Sequence, residues 1–431
     1  MAFFAGASGR AAGFVVTLLI ARRLGVSRDT DAFYLALSMT VYVFEIVRMA
    51  VEGAFVPAFV AARARGGQDA QEFFAGTAGL FALAGTVGAV LIAGAAAAQA
   101  ARGSFGPFSA LSLRYLAWLA LFLAPALITA GANMVFYALH AFAVPALAPL
   151  VQSLTVLAAL VLFGSTYGAA SLVGGYVAGA MLQLAVLLIL MRRRGVRPQL
   201  AWPGPSVVAA CRLGAPIALG GILINANAVV DKLVAGWLLP PGNITILENA
   251  VRVYGILSFL AYGATGNVFV TRWSELFAAG ERVALRQSFA NTLRLAAAVV
   301  APAAIAAAWL SSFMVRELFG HSAYGPESLA PTATCLAALS IGLPMFFISG
   351  ISARFLYSLG HTRVGLTGAA VALAVNVPAD ILLARWLGVV GIAAATTVTY
   401  GVMAVYMFSH VRAHAAQTLA PAPAVTYAHN P

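Results

Sequence analysis

A chain of 431 residues, 62% of them hydrophobic and only 9% charged, departs from a water-soluble domain, in which about half the residues are apolar and about a quarter charged. This excludes a soluble enzyme and points to an all-α polytopic membrane protein, because apolar stretches long enough to span a hydrocarbon core of roughly 30 Å recur from end to end. The formal charge of +12 is almost wholly arginine, with Lys232 the single lysine; the arginines sit mostly in short loops, so the positive-inside rule accounts for them without nucleic acid.

The first predicted span, 3–22, holds Arg10 in GASGRAAGFVV. It lacks a small-residue cleavage site followed by a polar mature region and is read as a retained helix. The second, 31–60, carries Glu45, Arg48 and Glu52, whose spacings of three and four stack them on one helix face. Each would cost about 2.5–3.5 kcal/mol at a helix centre facing lipid. Either the stripe neutralises itself and holds the helix to its neighbours, or it forms the polar wall of a hydrated cavity. Two acids against one base leave it net negative, so a further cation is expected to face it, Arg10 or Arg252.

Spans at 73–100, 113–139, 144–164 and 168–191 complete an N-terminal half of six, 1–191. The longest polar interruption, RRRGVRPQLAWPG, forms a basic linker over 192–205 that is predicted to be cytoplasmic. Spans at 206–239, 245–271, 287–310, 330–357, 364–385 and 389–411 make a second half, 206–412, and a Pro- and Ala-rich tail, 413–431, is predicted to be disordered. Two six-helix lobes around a central cavity are a common transporter plan. The arginine bias between alternate loops predicts twelve spans with both termini cytoplasmic. Cys211 and Cys335, far apart in apolar stretches, are expected to be buried thiols rather than a disulfide.

Two constellations carry chemistry. Arg10, Arg48 and Arg252 lie in apolar stretches; Arg10 has no acid at helical spacing, and Arg252 has only Glu248, four residues before it. Guanidinium stays charged and matches phosphate bidentately, so arginines converging in a cavity would suit a phosphate or pyrophosphate headgroup. Asp231, Asn376 and Asp380, with Thr396 and the main-chain carbonyl of Ile392 one turn before it, offer the oxygens that a hard cation accepts. The competing reading pairs Asp231 with Lys232 and makes Asp380 the cap of a kink at Pro378. Neither clustered thiolate nor clustered imidazole suggests zinc or redox chemistry. The chain shows no phosphate-binding glycine loop with its lysine, no GxSxG and no HExxH. No enzymatic activity and no obligatory cofactor are expected.

GRAAGF…ARRLGVSRDTDAFYLAL…EGAFVPAF (9–59, including Asp31), GANMVFYALHAFAVPALAPLVQS (131–153), VVDKLVAGWLLPPGNITILENAVRVYGI (229–256) and FLYSLGHTRVGLTGAAVALAVNVP (355–378) together resemble the MurJ/MviN family of lipid II flippases, of the multidrug/oligosaccharidyl-lipid/polysaccharide exporter superfamily. The resemblance implies two six-helix lobes opening alternately to either side of a bacterial cytoplasmic membrane. It implies transport of an undecaprenyl-pyrophosphate-linked saccharide, lipid II first among them, by a monomer surrounded by membrane lipids, without nucleic acid and in contact with cell-wall or polysaccharide synthesis proteins. Arg10, Arg48 and Arg252 fall on or beside the family's pyrophosphate-binding arginines, and Glu52 on its helix 2 acid. Asp231, Asn376, Asp380, Ile392 and Thr396 match the sodium site of members that have one, which suggests a Na+ coupling ion. The chain also departs from the pattern. Val16 and Thr17 stand where a second arginine and an acid are usual, Val47 replaces the first of two arginines, Glu45 is additional, and the usual two further helices are not expected. Another lipid-linked glycan, of exopolysaccharide or O-antigen type, is the second substrate reading. A cation-coupled drug antiporter and a transport-inactive scaffold in polysaccharide synthesis are the others.

Overall fold

The computed structural model describes the backbone of residues 2–103, 106, 108–259, 266–320 and 323–418, and the side chains of these except 2–10, 266–268, 296 and 415–418. The N-terminal half comprises α1 (Ala2–Leu24), α2 (Arg28–Ala50), α3 (Val56–Arg65), α4 (Gly67–Ala101), α5 (Ala110–Leu119), α6 (Leu123–Ala138), α7 (Ala143–Tyr167) and α8 (Ala170–Arg193). The C-terminal half comprises α9 (Pro205–Leu238), α10 (Asn243–Ser258), α11 (Gly266–Ala278), α12 (Arg282–Leu295), α13 (Ala301–Phe319), α14 (Pro326–Ile341), α15 (Leu343–Ser358), α16 (Arg363–Leu387) and α17 (Val389–Thr418). The described residues contain no strand.

Among the described residues, eight helical stretches are long and apolar enough to cross a membrane, nine if the bent pair α14–α15 is one span. The three remaining expected spans are α1, α2–α3 and α10–α11, and each contributes residues to a cavity between the halves. A lipid-facing helix must be apolar all round, whereas a wall helix can carry charge on its hydrated face. Large apolar side chains cover the outer faces: Leu162, Ile305, Trp309 and Val405 are all highly exposed, the inverse of a soluble protein.

Within the halves, α7 packs on α1 and α8, α4 on α6, α16 on α9 and α17, and α15 on α17; α2 lies against α9 and joins the halves. Proline shapes the local backbone. Between α2 and α3 the helix widens into a π turn, Val51–Phe55, which contains Glu52. Pro57 has no N–H to donate and its ring crowds the carbonyl four residues back, that of Gly53, so the regular ladder cannot continue. The span expected at 330–357 is two helices bent by 40° at Gly342. The span expected at 245–271 crosses residues 260–265, outside the described residues. α17 continues to Thr418, past the expected start of a disordered tail at 413, because AHAAQT still favours helix; residues 419–431 lie outside the described ones. Cys211 and Cys335 are both free thiols, Cys335 fully buried.

The basic linker is docked on the N-terminal half. Gln71 of α4 donates to the Arg197 carbonyl and accepts from its N–H (2.9 Å), and the Ala201 N–H donates to the Ala75 carbonyl at 3.0 Å. Gly79 makes this possible: a Cβ there would lie 2.0 Å from the Ala201 oxygen. Overpacking of this kind costs about 1–3 kcal/mol. Gly79→Val is therefore expected to lift the linker and raise tryptic cleavage after Arg194 about fivefold or more, with cleavage after Arg65 as the internal reference.

Candidate functional site

Between the halves lies a cavity of about 290 Å³, near the lower bound of small-molecule sites, roughly 300 Å³. α2 brings Tyr34, Ser38 and Glu45 to it, α7 brings Gln152, α9 brings Lys232, and α10 brings Glu248 and Arg252. Glu248 and Arg252 are one helical turn apart and so share a face of α10. Glu248 accepts from Arg252 Nε at 2.6 Å and from Lys232 Nζ at 2.8 Å, with its own side chain only 5% exposed. Two cations thus share one buried carboxylate, and the C-terminal half presents a net charge of +1 to the cavity. The competing reading pairs Lys232 with Asp231; Lys232 turns to Glu248 instead, because α9 directs consecutive residues about 100° apart.

On α2 the stripe closes on itself. Arg48 gives Nε and Nη2 to Glu45 Oε2 (2.8 and 2.6 Å) and Nη1 to Glu52 Oε1 (2.6 Å). These side chains nevertheless remain 31–43% exposed, so the ion pairing and the hydrated face occur together, with a net charge of −1. Glu45 reaches the cavity that Arg252 lines, and Arg48 and Glu52 lie further along the helix towards Tyr137. The side chain of Arg10 lies outside the described residues. Val16, where a family arginine is usual, lines the cavity, and the Thr17 hydroxyl is turned back to the Gly13 carbonyl at 3.2 Å.

Asp31 has a role that its local sequence did not disclose. The N–H groups at the start of α10 have no side-chain cap of their own. Asp31, from the opposite half, accepts from the Gly242 N–H (2.5 Å), the Thr245 N–H (2.7 Å) and the Thr245 hydroxyl (2.6 Å). A carboxylate at a helix N-terminus is stabilised by the unpaired donors and by the helix dipole. Beside it Gly25, in the left-handed region at φ +62°, meets the loop before α14 so closely that a Cβ would stand 2.3 Å from the Ala323 oxygen, and the Ala323 N–H donates to the Arg22 carbonyl. These contacts seal the halves together at the end of the bundle that carries residues 25, 242 and 323.

The oxygen cluster assembles as the spacing suggested. Asn376 and Asp380 are fully buried on one face of α16, and Asp231 lies within hydrogen-bonding reach of Asp380, Asn376 and Thr396. The Thr396 hydroxyl donates to the Ile392 carbonyl at 3.2 Å. The Asn376 amide nitrogen donates to Asp231 Oδ1 at 3.1 Å and to Asp380 Oδ2 at 3.2 Å. The buried amide thus bridges the two carboxylates, and a cation entering the cluster would replace these hydrogen bonds once the amide rotates to offer its oxygen. The donor set fits a hard cation.

The model of the family described as "Lipid II flippase MurJ" matches residues 20–427. The chain belongs to the MurJ family. Relatives include a probable lipid II flippase MurJ of Rhizobium tropici, 27% identical over 92% of this chain and 77% of the relative, and one of Thermotoga maritima, 24% identical over 91% and 80%. Among solved structures, a lipid II flippase MurJ in an inward closed conformation superposes with a TM-score of 0.82 at 20% identity, covering 95% of this chain and 87% of that one. An inward-facing multidrug transporter of the MATE family gives 0.78 at 14% identity, covering 95% of each. The MurJ fold accounts for two halves meeting at one end over a central cavity. In this MurJ-family chain the described cationic side of that cavity is Lys232 and Arg252.

Proposed function

We propose that this MurJ-family protein moves a polyprenyl-pyrophosphate-linked saccharide, lipid II in the first instance, from the cytoplasmic to the outer leaflet of the bacterial inner membrane. The observation that carries the reading is the net positive charge of Lys232, Glu248 and Arg252 on the C-terminal wall of the central cavity, facing Glu45 on the other. No covalent step is needed. The guanidinium and ammonium groups offer charge-assisted hydrogen bonds to the diphosphate, while Glu248 holds both cations in place before substrate arrives. The arginine bias of the loops puts both termini and the docked linker on the cytoplasmic side, so the end sealed by Asp31 faces outward. Transport then alternates between this outwardly sealed state and one in which the Asp31 contacts are broken.

Sodium is the coupling ion in this reading. Asp231, Asn376, Asp380, Thr396 and the Ile392 carbonyl would hold it, and its charge would offset two adjacent buried carboxylates. Asp231 and Lys232 are consecutive on α9, so one helix carries a member of the ion cluster and one of the two cavity cations.

Complementation tests the proposal. In cells depleted of their own lipid II flippase, the wild-type gene is expected to restore growth. Arg252→Ala removes the guanidinium that faces the cavity while Lys232 still pairs with Glu248, and is expected to abolish rescue at equal membrane abundance. Failure of the well-expressed wild type to rescue would refute lipid II as the cargo and favour another lipid-linked glycan, the reading to which the additional negative charge of Glu45 belongs.

A further inference from the structure

We infer that the N-terminal half supplies, alongside Glu45, a saccharide-reading patch of uncharged groups centred on the Tyr34 hydroxyl, which contacts the sugar adjoining the pyrophosphate; this rests on the pyrophosphate reading above. Tyr34 lines the central cavity and is only 3% exposed, yet its hydroxyl has no hydrogen-bond partner among the described residues. A buried hydroxyl left without a partner is destabilising, and in a hydrated cavity a water or a ligand group completes it; of the unpartnered buried groups among the described residues, Tyr34 is the one that lines this cavity. The ring cannot easily swing away to find another partner. Phe33 packs 5.3 Å from it at 54°, and Phe33 in turn lies 5.7 Å from Tyr176.

Tyr34 and Tyr176 both lie within electrostatic reach of the Arg252–Glu248 pair, so the hydroxyl stands beside the place where a diphosphate would be held. Ser38 follows Tyr34 by one turn of α2, and Gln152 and Ser153 come from α7. These side chains carry hydroxyl and amide groups without charge. Opposite two cations, such a set divides the work: the C-terminal half takes the anionic bridge and the N-terminal half takes groups that both donate and accept, as the hydroxyls and acetamido groups of a sugar do. A site with an otherwise unpaired buried polar group rejects a ligand that cannot satisfy it. The wall therefore confers discrimination between a glycosylated carrier lipid and the bare one.

The test uses the full-length protein in nanodiscs and two probes, undecaprenyl pyrophosphate and the same lipid bearing a disaccharide. Tyr34→Phe keeps the ring and removes only the hydroxyl. It is expected to weaken binding of the glycolipid about three- to tenfold, the value of one neutral hydrogen bond, and to leave the bare pyrophosphate unchanged. Gln152→Leu is expected to show the same split. Equal affinity for the glycolipid in wild type and Tyr34→Phe, or an equal loss for both probes, would overturn the inference. Arg252→Ala serves as the separate control and is expected to weaken both probes. Unaltered binding of bare pyrophosphate to that variant would overturn the pyrophosphate reading itself.

Discussion

Asp31→Ala is expected to open the sealed end of the protein and to abolish transport. The Asp31 carboxylate accepts three hydrogen bonds from the opposite half, two of them from the backbone at the start of α10. Hydrogen bonds to a charged group contribute about 1.5–3 kcal/mol each, and not additively. Loss of about 2–3 kcal/mol from the state in which the halves meet shifts its population about 30- to 150-fold, at tenfold per 1.4 kcal/mol. With Cys211 and Cys335 replaced by alanine, a cysteine introduced at Ala323 reports the change through a membrane-impermeant maleimide added outside intact cells. Labelling is expected to rise steeply in Asp31→Ala. Asp31→Asn keeps one acceptor oxygen but brings an amide N–H₂ to a set of donors, so it is expected to fall between. Labelling unchanged in Asp31→Ala would show that the Gly25–Ala323 contact alone closes this end.

Asp380→Asn is expected to remove a sodium dependence of stability and to block transport. In the wild type, two carboxylates and an amide able to turn its oxygen to them converge on one buried spot. A cation bound there only in the folded state stabilises it by about 2.7 kcal/mol at a hundredfold excess over its Kd. Thermal unfolding of the purified protein should therefore occur at a higher temperature in sodium chloride than in choline chloride at equal ionic strength. The variant neutralises one of two like charges, so its stability in choline chloride should equal or exceed that of the wild type, and sodium should add nothing. A wild type indifferent to sodium would leave the membrane potential as the driving force.

The sequence discloses those parts of this protein that a single helix determines. Apolar stretches mark the lipid-facing helices because hydrocarbon admits little else, and the polar stretch 194–204 is the non-helical connection between α8 and α9. Asn376 and Asp380 share a face because four residues make about one turn, and Glu45, Arg48 and Glu52 do so for the same reason. What depends on contacts between segments is not visible in that way. Asp31 finds its donors 211 and 214 residues away, in a loop whose own sequence gives no sign of lacking a cap. Lys232 could reach either Asp231 or Glu248, and only the packing of α9 beside α10 decides. The break at Gly342 lies between two apolar halves that read as one span, since hydropathy is blind to direction.

The docked linker has a mechanical consequence. Because Ala201 is hydrogen-bonded to α4 and Gln71 grips Arg197, the chain remains part of the first half almost to Gly204. The covalent crossing to the second half is thereby reduced to the joint before Pro205, at the foot of α9. That helix runs alongside α2 and carries Asp231 and Lys232 towards its far end. A small rotation at this fulcrum is magnified along a 34-residue lever, and displaces most the residues furthest from the pivot, which are the ones that meet ion and cargo.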